Sequence, residues 1–157
     1  MMRSLAPLDP RTKKRRMAEF HRLCRERGIP LTTQRRAILE TVLALDCHPT
    51  ADEVHAAPAV RQARISRATV YRTLEGLAGL GIITKACHPG GVVRYDARAA
   101  IHHHLICLRC DAVIDIADTR LDALPIPDTS ALGFDVKDFR VQLRGICRRC
   151  RRLEVTR

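Results

Sequence analysis

The stretch SRATVYRTLEGLAGLG, Ser66–Gly81, runs directly into IITKACHPGGVVRYD, Ile82–Asp96, and together they decide how the first half of the chain folds. Ser66 is placed to accept an otherwise orphan amide at a helix start, and Gly81 is placed to end that helix. At roughly 100° per residue, Val70, Leu74 and Leu77 share one narrow sector and face a core. Ala68 and Arg72 then point outward, with Thr69, Tyr71 and Glu75 at the edges. That face suits a DNA major groove: arginine grips a guanine edge with two hydrogen bonds, while alanine, threonine and tyrosine offer apolar contact to a thymine methyl. The following residues form two β-rich runs about Pro89, Gly90 and Gly91, a hairpin. A recognition helix followed by a hairpin is the pattern of a winged helix. A generic amphipathic helix beside a hairpin would show the same periodicity.

Working outward toward the N-terminus, Phe20, Leu23 and Cys24 recur at helical spacing over Met17–Arg27, and Gly28 stops that helix. Thr33 is read as the cap of a second helix through Leu45, with Ile38, Val42 and Leu45 as its buried stripe and Leu39 beside it. In HPTADEVHAA, His48–Ala57, Thr50 opens a short helix and Glu53 follows three residues later, the pattern of a capping box. Two short helices before the capped one give a helix-turn-helix. Residues 1–16 carry Pro7, Pro10 and the run Arg11, Lys13, Lys14, Arg15, Arg16, and they read as a flexible basic arm, either a solvated tail or a DNA-backbone contact.

Composition agrees with this reading. A 157-residue chain with 46% hydrophobic residues has enough apolar content for packed cores and is not disordered throughout. With 3% aromatics and no Trp, those cores are built from Leu, Ile, Val and Ala. The 28 Lys and Arg against 17 Asp and Glu leave a net charge of +11, which favours a polyanionic partner such as nucleic acid. No run approaches the ~18 apolar residues of a membrane span. MMRSLAPLDPRTKKRRM lacks the apolar centre of a secretory signal, so a cytoplasmic protein with reduced thiols is expected. Seven Cys in that compartment point to metal ligation or redox chemistry rather than disulfides.

HHHLICLRC, His102–Cys110, supplies the metal chemistry. A strand over residues 102–107 would put His102 and His104 on one face and His103 with Cys107 on the other, which implies two sites. Cys107 and Cys110 form one CxxC, and Cys147 and Cys150 form a second after a 36-residue spacer. Four thiolates make the closed tetrahedral shell of structural zinc. Four buried unligated thiols or a redox pair are the other readings. The spacer holds a strand, AVIDI, a helix near Asp118–Leu124 and a second strand, FDVKDFRVQLRGI. His102 and His104 with the nearby Asp96 and Asp115 offer nitrogen and hard oxygen donors, a set that suits Fe, Mn, Co or Zn.

The chain resembles the ferric uptake regulator family of metal-dependent repressors from about Met17 onward. The resemblance rests on LTTQRRAIL, HPTADEV, SRATVYRTLEGLAGLGII, HHHLICLRC and the closing CRRC. It implies an α+β chain with a winged-helix domain over 17–97 and a small α/β dimerisation domain over 98–157 that carries the four-cysteine zinc site. It also implies a homodimer that binds a palindromic operator in double-stranded DNA when loaded with Fe²⁺ or Mn²⁺. The peroxide-responsive branch draws its regulatory ligands from an HPT motif, an Arg-aromatic-Asp motif, an HxH and a later Asp. His48, Asp96 (in Arg94-Tyr95-Asp96), His102, His104 and Asp115 occupy those positions here. The candidate DNA contacts are Arg35, Ser66, Arg67, Thr69, Tyr71 and Arg72.

There are departures from the family pattern. Phe139 and the lack of any His after His104 remove the additional site common in iron regulators. Asp111 follows the first CxxC where the family usually has Gly, Arg72 resembles the iron regulators, and Cys87 keeps a zinc-sensing reading open. The expected function is repression by an Fe²⁺- or Mn²⁺-loaded, peroxide-sensing regulator with no membrane partner, no small organic substrate and no enzymatic turnover. Iron or zinc uptake regulation and thiol redox chemistry are the alternatives.

Overall fold

The computed structural model describes residues 2–45, 48–87, 91–98 and 100–155. Cys47, the hairpin tip at Pro89 and Gly90, and the Cys87 side chain lie outside the described residues. In chain order the elements are β1 (Arg3–Ser4), α1 (Pro10–Glu26), α2 (Thr33–Leu45), α3 (Ala51–Ala56), α4 (Pro58–Gln62), α5 (Arg67–Gly79), β2 (Thr84–Cys87), β3 (Val93–Asp96), β4 (His103–Cys107), β5 (Val113–Ala117), α6 (Thr119–Asp122), β6 (Gln142–Gly145) and α7 (Arg148–Val155). They fall into two compact units, Pro7–Ala99, and Met1–Ala6 with Ala100–Arg157.

In the Pro7–Ala99 unit, helices α1 to α5 surround one core and the β2–β3 hairpin follows. Phe20, Ile38, Leu39, Val42, Val54, Val60, Val70, Leu74, Ile82 and Ile83 are buried there. Removing each such side chain from water stabilises the fold by about 1.5–3 kcal/mol. The Ser66 hydroxyl accepts from Thr69 N at 3.2 Å and starts α5, and Gly81, at φ +72°, turns the chain after it. Val70, Leu74 and Leu77 are buried together with Thr73, which is the inward sector that the periodicity requires. The Thr50–Glu53 capping box closes at the start of α3.

Where a flexible basic arm is expected, Arg3–Ser4 form β1 and residues 10–16 open α1. Asp9 accepts from Thr12 N at 3.0 Å and Pro10 supplies a helical φ in the first turn, so α1 begins at Pro10 rather than Met17. Arg16 is buried: its Nη1 pairs with Glu19 at 2.7 Å and its Nη2 donates to the Ile82 carbonyl. Two smaller corrections concern α2. Its cap is Thr32, whose hydroxyl accepts from Arg35 N at 3.2 Å, because Thr33 already lies within the helix. Leu43 takes the buried place expected of Leu45, which is 37% exposed.

The other unit holds a four-stranded sheet in the order β1-β5-β4-β6. β4 pairs with β5 antiparallel and with β6 parallel. β1 lies antiparallel on β5, with Ser4 opposite Ile116, and Leu5 N donates to the Asp115 carbonyl at 2.9 Å. β4 begins at His103, one residue later than expected. The long strand expected over 134–146 shrinks to Gln142–Gly145. Asp135, Lys137, Asp138 and Arg140 spend that stretch in local ion pairs, and Phe134 is 68% exposed. Asp118 caps α6 through Arg120 N at 3.0 Å. Among the described residues, no helix is long and apolar enough to cross a membrane.

Candidate metal centres and nucleic-acid interface

The turn after β4 and the start of α7 bring Cys107, Cys110, Cys147 and Cys150 together, with all four sulfurs within 4.8 Å of one another. Cys110 Sγ and Cys147 Sγ are 3.8 Å apart. Zn–S bonds of about 2.3 Å in a tetrahedron put sulfurs about 3.8 Å apart, so the cluster fits zinc in both donor type and spacing. Cys147 N donates to Cys107 Sγ at 3.3 Å. That amide, with those of Arg109 and Cys110, brings the Cys107 thiol down to about 6. Burial pushes Cys150 up to about 12, and the neighbouring thiols add to the shift. Asp111 takes the left-handed conformation, φ +57°, at the position where the family usually carries Gly.

In the same unit, β4 and β5 carry the histidine chemistry. Register pairs His104 with Asp115 directly across the sheet. Asp115 Oδ1 lies 3.4 Å from His102 Nε2 and 3.6 Å from His104 Nε2, and the two Nε2 atoms are 3.1 Å apart. His102 Nδ1 meets the Ala100 carbonyl at 2.8 Å, a bond it makes as donor. That tautomer leaves the Nε2 lone pair for a metal, a common outer-shell device at histidine ligands. Two imidazoles and a carboxylate fit Fe²⁺ or Mn²⁺ better than a thiolate-seeking ion. His103 points elsewhere, as strand alternation requires: its Nε2 meets Asp122 Oδ1 at 3.0 Å, and its Nδ1 accepts from Val141 N at 3.0 Å.

The Pro7–Ala99 unit holds the other two candidate ligands, His48 and Asp96, with Nε2 and Oδ2 3.9 Å apart. The HPT loop is fastened to β3 by several bonds. Tyr95 N donates to the Pro49 carbonyl at 2.9 Å, Thr50 bridges Arg94, and Arg94 Nη1 donates to the His48 carbonyl at 2.9 Å. His48 itself sits at φ +52°. Asp96 Oδ1 accepts from Arg98 N at 2.7 Å, which orients the carboxylate.

Residues 26–144 match the Ferric uptake regulator family. The chain belongs to that family. The peroxide-responsive repressor PerR of Staphylococcus epidermidis is 31% identical over 127 residues, 81% of this chain and 85% of that protein. PerR of Staphylococcus aureus is 32% identical over 126 residues, 80% of this chain and 85% of that protein. Among solved structures, a zinc-bound manganese uptake regulator superposes with a TM-score of 0.62 at 32% identity, covering 81% of this chain and 97% of that one. The ferric uptake regulator Fur of Helicobacter pylori reaches a TM-score of 0.73 over 94% of this chain and 97% of that one. At 18% identity, that second likeness concerns the fold alone. Proteins of this family are metal-responsive transcription regulators and not enzymes.

Four of the candidate DNA contacts, Arg67, Thr69, Tyr71 and Arg72, lie on α5. Arg72 and Tyr71 are exposed on it, Tyr71 by 40%. Arg35, Thr69 and Arg72 line one cleft of about 580 Å³ floored by Phe20, Ile29 and Leu77, which puts the α2 candidate beside the α5 pair. Arg35 Nη1 donates to the Pro30 carbonyl. Arg67 is engaged within the protein: Nε meets Asp52 Oδ1 at 2.7 Å and the guanidinium lies 5.7 Å from the Tyr71 ring centre. Ser66 and Thr69 share a hydroxyl hydrogen bond at 2.9 Å within the cap. The sequence reading missed the role of Glu75. It placed Glu75 at the edge of the DNA face, yet Glu75 holds Lys85 and accepts from Tyr95 Oη at 3.1 Å. Lys85 keeps the Glu75 carboxyl below its usual range, and burial, with Glu75 adding to it, pushes the Tyr95 phenol up to about 12.

Proposed function

We propose that this chain is a cytoplasmic, homodimeric repressor that binds a palindromic operator in double-stranded DNA when Fe²⁺ or Mn²⁺ occupies a regulatory site, and that peroxide relieves the repression. A zinc ion on the four cysteines holds one end of the sheet. The regulatory ligands are His48 and Asp96 from one unit and His102, His104 and Asp115 from the other. The observation that carries this reading is the convergence of the two Nε2 atoms, 3.1 Å apart, beside the Asp115 carboxylate.

The residues divide the work as follows. The Ala100 carbonyl fixes the His102 tautomer, and sheet register holds His104 against Asp115. Ligands drawn from two units let metal binding favour one orientation of the DNA-binding unit, and any such preference couples metal and operator affinity reciprocally. Held by these residues, Fe²⁺ would supply the reduction of hydrogen peroxide, with one oxygen atom added at a ring carbon of His48 or His102 and water as the other product. The PerR relatives support this choice, since they are peroxide-responsive by name.

A second reading is an uptake repressor without peroxide chemistry, supported by the 32% identity to a manganese uptake regulator. A thiol redox protein would leave the His/Asp sets and the outward Arg72 without a task. Operator binding with Fe²⁺ or with Mn²⁺, before and after peroxide, separates these. The sensor loses the operator and gains one oxygen only with Fe²⁺. The uptake repressor stays bound and unmodified. A redox protein shows no metal-dependent, salt-sensitive binding to duplex DNA.

A further inference from the structure

Lys85 on β2 and Tyr95 on β3 are register partners across the hairpin, and both reach the same carboxylate, that of Glu75 on α5. Tyr95 is also bound at its other end. Its amide donates to the Pro49 carbonyl, next to His48, and Asp96 is the next residue along β3. Both candidate metal ligands of this unit are therefore one residue away from an atom tied to Tyr95. Tyr95 is 2% exposed, so its side chain works as a packed rod between strand and helix. Glu75 lies three residues beyond Arg72 on α5, one helical turn along.

We propose that Tyr95 and Glu75 are positioning residues that transmit metal occupancy at His48 and Asp96 to the recognition helix α5. The proposal rests on the regulatory reading above. Metal fixes the backbone on either side of Tyr95, and the Tyr95 hydroxyl then sets the rotation of α5 through Glu75 Oε1. Lys85 holds the other oxygen and keeps the hairpin in the same assembly. Metal-free protein would keep the hydrogen bond on a looser strand, so α5 would present Arg72 over a wider range of orientations.

The test uses full-length protein and Mn²⁺ and compares wild type with two variants: Tyr95→Phe, at a buried position, which loses only a hydroxyl, and Glu75→Gln, which keeps an acceptor for that hydroxyl. In wild type, Mn²⁺ is expected to slow amide exchange in β2, β3 and α5. In Tyr95→Phe the protection should stop at the strands. The ratio of operator affinities with and without Mn²⁺ should fall about tenfold, the worth of a hydrogen bond to a charged group, while Mn²⁺ affinity of the DNA-free protein keeps its wild-type value. Glu75→Gln should lie between the two. An unchanged ratio together with wild-type protection of α5 in Tyr95→Phe overturns the proposal. If the wild-type operator affinity itself ignores Mn²⁺, the regulatory reading falls and takes this one with it; the two failures are told apart by the wild-type arm alone.

Discussion

His102 Nε2 and His104 Nε2 stand 3.1 Å apart with their rings crossed at 75°, while the four cysteine sulfurs gather around the other end of β4. One strand thus serves two donor sets of different softness, and the sets should be separable. His104→Ala is expected to weaken Mn²⁺ binding by at least about 100-fold, beyond what loss of an outer-shell partner costs, while one zinc per chain is retained. Metal analysis and Mn²⁺ titration check this. Loss of zinc together with Mn²⁺ would show that the sites are not independent.

The zinc site carries its own pH signature. The Cys107 thiol, lowered from 9.0 to about 6, is already thiolate at neutral pH, whereas Cys150 keeps its proton until metal displaces it. Zinc binding at neutral pH should therefore displace the Cys150 proton but almost none from Cys107, and proton release should rise when the pH falls below the Cys107 value. Calorimetry in buffers of different ionisation enthalpy measures the count. In the metal-free protein the depressed thiol contributes stability that is fully present above pH 9 and lost as pH falls through about 6. Cys107→Ser and Cys150→Ser should each lose zinc and lower the melting temperature of the Ala100–Arg157 unit. Zinc loss with unchanged melting would mean that the metal does not support the fold.

The sequence was most informative where chemistry and periodicity coincided. Val70, Leu74 and Leu77 fixed the inward face of α5, and two CxxC motifs fixed a tetrahedral site, because thiolates at that spacing have few other uses. The N-terminus misled because Arg11, Lys13, Lys14 and Arg15 look like a solvated tail, while the decisive signal was the two-residue cap Asp9-Pro10. The stretch from Phe134 to Arg140 has the composition of a strand, but its alternating charges pair locally, and pairing with β4 begins only at Val141, whose carbonyl accepts from His104 N at 2.9 Å. Glu75 was read from its own helix face alone. Its partners, Lys85 and Tyr95, lie ten and twenty residues away, and helical periodicity cannot see them.

Because Asp9 caps α1 and Arg16 is buried beneath it, the N-terminal basic run is structural as well as charged. Asp9→Ala should cost the Pro7–Ala99 unit about 1 kcal/mol, seen as a lower denaturant midpoint with an unchanged slope. Deleting residues 1–16 should destabilise this unit as well as weaken DNA binding. A deletion that leaves the unfolding midpoint alone and only flattens the salt dependence would restore the flexible-arm reading.

Arg72 and Arg67 both sit on the outer side of α5, but their partners differ. Arg72→Ala should weaken operator binding by about 1–3 kcal/mol and leave most non-specific affinity, as expected for a contact that reads a base edge. Arg67 is already paired with Asp52, so Arg67→Ala should act mainly through the Tyr71 stacking and the α3–α5 contact, with a smaller loss of discrimination. Equal losses on operator and random DNA for Arg72→Ala would remove it from the recognition face.

Asp115 separates a peroxide sensor from a plain metal sensor. Its short side chain reaches both imidazoles from β5, with Oδ1 at 3.4 Å from His102 and 3.6 Å from His104, and the Leu5 amide holds its carbonyl at the strand edge. Five protein ligands are one short of an octahedron when each carboxylate gives a single oxygen, and an open position is what peroxide needs to reach bound iron. Glutamate at this position has one more methylene and the same donor chemistry, so it can fill or reshape that opening while still holding a metal. Fe²⁺-loaded wild type should therefore lose the operator at low peroxide and gain one oxygen on His48 or His102, and the Mn²⁺ form should do neither. Asp115→Glu should bind the operator with either metal and respond far less to peroxide. Mass spectrometry of peptides containing His48 and His102, run beside operator-binding measurements, reads both outcomes. Fe²⁺-loaded wild type that stays unmodified and bound under peroxide would leave an uptake repressor as the function of this chain.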